Sequence, residues 1–139
     1  MIHPCEPENH CDQIIGNLWV GRNPSAYDSH NFKTIFCLDG RPQYHIPIGQ
    51  TVIIQAFDDK EAMPWFNPEE LAAQVIDYMN KGSVLVHCAG GVNRSPFIVG
   101  LAMRQLGFYG KDALEIMRNI RGEVLLVTND TFRNYLLES

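Results

Sequence analysis

The sequence predicts a single α/β domain, a sandwich in which a central, mainly parallel sheet is flanked by helices. Three observations lead there. Short runs of β-branched and aromatic residues alternate with amphipathic helical stretches along the chain. One run, "SVLVHC", is continuously apolar, as a strand covered on both faces must be. The 139 residues, 45% hydrophobic and 19% charged, are enough to close one core without a second domain. Residues 1–11 read as a poorly ordered lead and 12–139 as the folded domain.

The elements follow in order. "NLWVG" and "KTIFCL" have the composition of short strands, and "TVIIQAF" adds a third. Residues 67–82 give the clearest helix. Asn67 can cap it, Pro68 suits its first position, Glu70 falls three residues after the cap, and Gly82 can end it. Leu71, Ala72, Val75, Ile76 and Met79 form its apolar stripe. After "SVLVHC", a second helix is expected to start at Pro96 and stop near Gly107. Ala113, Ile116, Met117 and Ile120 mark a third over about Asp112 to Arg121, and Asn129 or Asp130 caps a last one.

Charge and composition narrow the function classes. A net charge of -5 argues against a broad nucleic-acid surface or an anionic membrane patch. The start "MIHPCEPENHC" lacks the basic and apolar regions of a secretory signal, and no apolar run approaches a membrane span. A soluble, cytoplasmic protein is expected, with Cys5, Cys11, Cys37 and Cys88 mostly reduced. Cys37 reads as a small buried hydrophobe. His3, Cys5, His10 and Cys11 match no zinc spacing, and nucleotide-loop and dinucleotide motifs are lacking, so neither metal nor cofactor is expected.

The chemistry concentrates in "VLVHCAGGVNRSPFIVG", residues 84–100. A cysteine, Cys88, stands at the carboxyl end of an apolar strand, where ligands of open α/β sheets bind. The turn that follows must pass from strand to helix, and glycines at 90 and 91 permit backbone angles other residues resist. Successive amides in such a turn form an anion nest, with the positive end of the next helix behind it. A free thiol titrates near 8.5, and sites of this type lower that value. Arg94 adds a planar fork for two phosphate oxygens. The loop thus offers an anion pocket with a nucleophile at its floor.

The string "VHCAGGVNRSP" resembles the signature of the cysteine-dependent protein tyrosine phosphatases, and the short chain looks like their dual-specificity subgroup. The resemblance is sharp over 84–97 and looser from Ile14 onward. It implies a phosphatase catalytic domain over 12–139 with Cys88 as nucleophile and Arg94 as the phosphate and transition-state ligand. Ala89, Gly90, Gly91, Val92 and Asn93 would supply the amide cradle, Gly91 being the signature glycine. Ser95 would assist release of the phosphocysteine, and His87 would order the loop and tune the cysteine. Asn129 falls where relatives carry an asparagine before the last helix.

The same resemblance requires an aspartate as general acid. "IIQAFDDKEAMPWFNP" offers Asp58 and Asp59. Counting from the strand end favours Asp58, while counting back from the helix favours Asp59. Asp58 is preferred because a loop absorbs a length change more easily than a strand. Trp65 and Phe66 either wall the cleft or staple the helix beginning at Asn67. The variable loop positions Ala89, Gly90, Val92 and Asn93 are uncharged, which favours phosphoprotein substrates over inositol lipids or RNA 5′ ends. A phosphoprotein-binding module without turnover is the competing reading, and a disulfide from Cys5 or Cys11 is a conceivable protector of Cys88.

Overall fold

Most strands and helices form where hydrophobic periodicity marks them, and the computed structural model describes residues 11–25, 28–46, 48–122 and 127–138. The strands are β1 (Asp12–Ile15), β2 (Leu18–Arg22), β3 (Thr34–Cys37), β4 (Thr51–Ile54) and β5 (Val84–Cys88). They are ordered β1-β2-β5-β3-β4, all parallel except β1, which runs antiparallel to β2. Every residue of the central β5 is buried, which accounts for its unbroken apolar run. β1, four residues with one buried side chain, is the strand the sequence does not announce.

The helices are α1 (Pro68–Met79), α2 (Arg94–Gln105), α3 (Gly110–Arg121) and α4 (Asp130–Leu137). Asn67 caps α1, its Oδ1 accepting from the Glu69 amide at 3.0 Å. α2 starts at Arg94, two residues before the expected Pro96. Proline lacks only an amide hydrogen that the first turn leaves unused, so it need not stand first. Asn129 caps α4 by accepting from the Phe132 amide at 3.2 Å, which settles the choice between Asn129 and Asp130.

The larger core cluster joins one face of the sheet (Leu18, Val20, Phe36, Val84, Val86) to residues from all four α-helices. Alternation along the strands sends Ile35 and Leu85 to the opposite face, where they meet Cys11, Phe32 and Tyr44. Cys88 belongs to the helix-covered face, and His87, its neighbour, to the other. Among the described residues no helix is long and apolar enough to cross a membrane.

One expectation about the cysteines needs correcting: they are not all reduced. Cys11, placed with the terminal segment by sequence, is 3% exposed and disulfide-bonded. Cys37 and Cys88 are free thiols. Composition speaks to compartment but not to which sulfurs the fold brings together. Residues His3, Cys5 and His10 lie outside the described residues.

Candidate active site

β5 delivers Cys88 to the sheet's carboxyl edge, and residues 89–93 turn directly into α2. Gly91 holds φ +71°, and a Cβ there would lie 2.8 Å from both the Gly21 carbonyl carbon and the Arg22 amide nitrogen. Only glycine fits a loop pressed so closely on the end of β2. Gly90 differs from expectation: it has open space around it and no left-handed angle. The back of the loop is held by Arg121, whose Nη1 donates to the Gly91 carbonyl while its Nε donates to Asp12 at 3.0 Å. The Arg121 side chain is wholly buried.

The sulfur of Cys88, 2% exposed, accepts the Gly91 amide hydrogen at 3.2 Å and lies 3.3 Å from the Ser95 hydroxyl. That hydroxyl also donates to the Gly21 carbonyl at 3.0 Å. Arg94 spends Nη1 on the Phe57 carbonyl at 3.0 Å. Its Nε is buried and has no hydrogen-bond partner among the described residues. A buried guanidinium N–H left unmade is costly, and an anion in the loop would satisfy it.

The two aspartates part company. Asp59 accepts from Asn93 Nδ2 and Asn129 Nδ2, each at 2.9 Å. Asn93 also accepts from the Thr128 and Asn129 amides at 2.6 and 2.8 Å, so one loop side chain ties the aspartate segment to the approach to α4. Asp58 is 79% exposed at its side chain, with Lys60 3.6 Å away. A hollow of 210 Å³ beside it is lined by Phe57, Met63, Pro64 and Trp65 among others. Phe66 packs edge-on against Phe57, whereas Trp65 is 81% exposed and walls that hollow.

On the far face of the sheet, His87 lies 2.7 Å from the Tyr44 hydroxyl through Nε2. Burial pushes His87 down to about 4, against the opposing pull of Asp39. Burial, then Asp39, pushes the Cys37 thiol up to about 12, and Cys37 donates to Asp39 at 3.0 Å. Cys37 is therefore more than a small hydrophobe.

The structure thus joins Cys88, Gly91 and Ser95 in one hydrogen-bonded group and Asn93, Asp59 and Asn129 in a second, with Arg94 tied to the Phe57 carbonyl. His87 stands behind them, with Ala89, Gly90 and Val92 in the loop and Asp58 at the margin. Arg121 is the residue sequence reasoning missed. Its signal was available: it falls four, seven and eight positions after Met117, Leu114 and Ala113, on the buried face of α3 where a charge has no business without a partner.

No protein-family model matches this chain, and no curated protein sequence matches it. Solved structures do. Human tyrosine phosphatase-like serine/threonine/tyrosine-interacting protein superposes with a TM-score of 0.77 at 19% identity, covering 94% of this chain and 95% of that one. DUSP15 gives 0.73 at 23% identity, covering 94% and 86%. OH1 from the Orf virus, a tyrosine phosphatase with triple substrate specificity, gives 0.64 at 20% identity, covering 92% and 84%. At these identities the likeness is one of fold, and the fold is that of the dual-specificity phosphatases.

Proposed function

We propose that the protein hydrolyses phosphomonoesters through a phosphocysteine at Cys88, acting on phosphotyrosine and phosphoserine or phosphothreonine of proteins. One observation carries the reading: a buried cysteine sulfur accepts a loop amide hydrogen while the arginine six positions on keeps a buried Nε without a partner among the described residues. Both features fit a loop built to receive an anion.

In the reaction, the Cys88 sulfur attacks phosphorus in line, forming the S–P bond as the P–O bond to the substrate breaks. Loop amides from Ala89 to Asn93 and the Arg94 fork hold the equatorial oxygens. Asp58 gives its proton to the leaving oxygen, then takes one from the water that cleaves the S–P bond. Asp59 is the less suitable acid, because both its oxygens already accept amide hydrogens. Ser95 has one hydroxyl hydrogen and two acceptors in reach, Gly21 and the sulfur. Rotation of that hydrogen toward sulfur stabilises the departing thiolate in the second step. The uncharged loop side chains Ala89, Val92 and Asn93 favour a phosphoprotein over a polyanion.

Hydrolysis of p-nitrophenyl phosphate and of phosphotyrosyl and phosphothreonyl peptides tests this directly. Wild type is expected to turn all three over, and Cys88→Ser to lose turnover while still binding phosphopeptide. Phosphopeptide binding without turnover by the wild type sinks the enzyme in favour of a binding module. Faster phosphate release from RNA 5′ ends or inositol polyphosphates overturns the substrate class.

A further inference from the structure

The face of the sheet opposite the larger core cluster packs Ile35 and Leu85 against Cys11, Phe32 and Tyr44. There the pairing of β3 with β5 sets Cys37 directly opposite His87. Asp39, two residues beyond Cys37, lies on the same side and takes the thiol hydrogen at 3.0 Å. The Cys37 sulfur, an Asp39 oxygen and a ring nitrogen of His87 all lie within 4.8 Å of one another. Cys37 and His87 are fully buried, while Asp39 is partly exposed and opens the group toward solvent. Among the described residues this is the one cluster of three such side chains. The catalytic reading gives Cys37 and Asp39 no task.

We propose that Cys37, Asp39 and His87 form a binding site for a borderline-soft divalent cation of the zinc class, directly behind the phosphate loop. Thiolate, imidazole and carboxylate are the ligand set zinc prefers, whereas calcium and magnesium take oxygen alone. Tetrahedral bonds of about 2.0–2.3 Å separate ligand atoms by roughly 3.5 Å, so small side-chain shifts close the site around the ion. The thiol proton leaves to solvent as the sulfur–metal bond forms. One thiolate and one carboxylate then balance the cation's charge in a buried setting. Tyr44, beside the imidazole at 2.7 Å, orients the ring. A water can take the fourth position through the Asp39 side. Because His87 precedes Cys88, an ion here sits one residue from the candidate nucleophile without touching it.

The site is independent of the phosphatase reading, and its test uses a protein without the catalytic thiol. Full-length Cys88→Ser is titrated with Co²⁺ as a spectroscopic stand-in for zinc. A sulfur-to-cobalt charge-transfer band in the near ultraviolet is expected, displaced by Zn²⁺ and absent from Cys88→Ser/Cys37→Ser. Should burial of the serine spoil folding, Asp39→Asn in the Cys88→Ser background serves instead. Calorimetry is expected to show zinc affinity reduced at least about tenfold there. Absence of the band with Cys37 intact overturns the proposal. So does a band that survives Cys37→Ser, which would place the metal on a different sulfur. Equal zinc affinity in the Asp39→Asn variant overturns it too.

Discussion

Asp59 accepts two amide hydrogen bonds, one from the loop after β5 through Asn93 and one from Asn129, whereas among the described residues Asp58 meets the Lys60 ammonium alone. On the proposed mechanism these contacts divide the work: Asp59 fixes the segment against the loop, and Asp58 is the one that moves a proton. The division makes a kinetic prediction. Asp58→Asn is expected to slow esters with poor leaving groups by about 10²–10⁴-fold while sparing good ones, since only poor leaving groups need the proton early. Asp59→Asn is expected to slow all substrates alike, by about tenfold, because it loosens a tie and removes no proton donor. Rates across a series of aryl phosphates of graded leaving-group acidity check this. A leaving-group dependence that steepens for Asp59→Asn and stays flat for Asp58→Asn reverses the assignment. Sequence spacing left the pair open because a loop hides its own register. Only the third dimension reveals which carboxylate faces Asn93.

The phosphate loop is an element fixed from both sides: β2 presses on Gly91, and Arg121 of α3 holds its carbonyl from behind. Gly91→Ala must place a Cβ 2.8 Å from two backbone atoms of β2 at φ +71°. Neither backbone atom can swing aside as a flexible side chain would. A loss of about 2 kcal/mol is expected, seen as a fall in Tm and weakened vanadate or phosphate binding. Gly90→Ala, in open space, is expected to change stability by less than about 0.5 kcal/mol. Thermal melts of the two variants side by side check the contrast; equal losses would falsify the role given to Gly91. This loop also marks how far the sequence could be read. β5, α1 and the loop were legible because apolar runs, a cap and paired glycines each carry a local signature. β1 was not, since four residues with one buried side chain show no periodicity, and its place beside β2 is a tertiary fact. The tie from Arg121 to a loop thirty residues earlier is likewise invisible to local pattern, although an arginine on an apolar helix face hints that a partner exists.

At the scale of the whole molecule, the sheet separates two environments. One face carries the helices and Cys88, and the other carries His87 with Tyr44, Cys37 and Asp39. Folding buries His87 completely, and burial pushes its imidazole from about 6.5 down to about 4. Above pH 6.5 the ring is neutral in both the folded and unfolded chain, so it makes no pH-dependent contribution. As pH falls through 6.5 the unfolded chain takes up a proton that the folded site refuses, and the balance tips toward unfolding until about pH 4. At about 1.4 kcal/mol per pH unit, the loss across that window is on the order of 3 kcal/mol. Stability is therefore expected to rise with pH between about 4 and 6.5. His87→Gln is expected to be less stable at neutral pH but to show a shallower slope across the same window, because glutamine keeps a polar group there and takes up no proton. Urea unfolding at several pH values, wild type against variant, measures both slopes. Identical slopes would mean that the acid sensitivity belongs to the surface carboxylates rather than to the histidine beneath the loop.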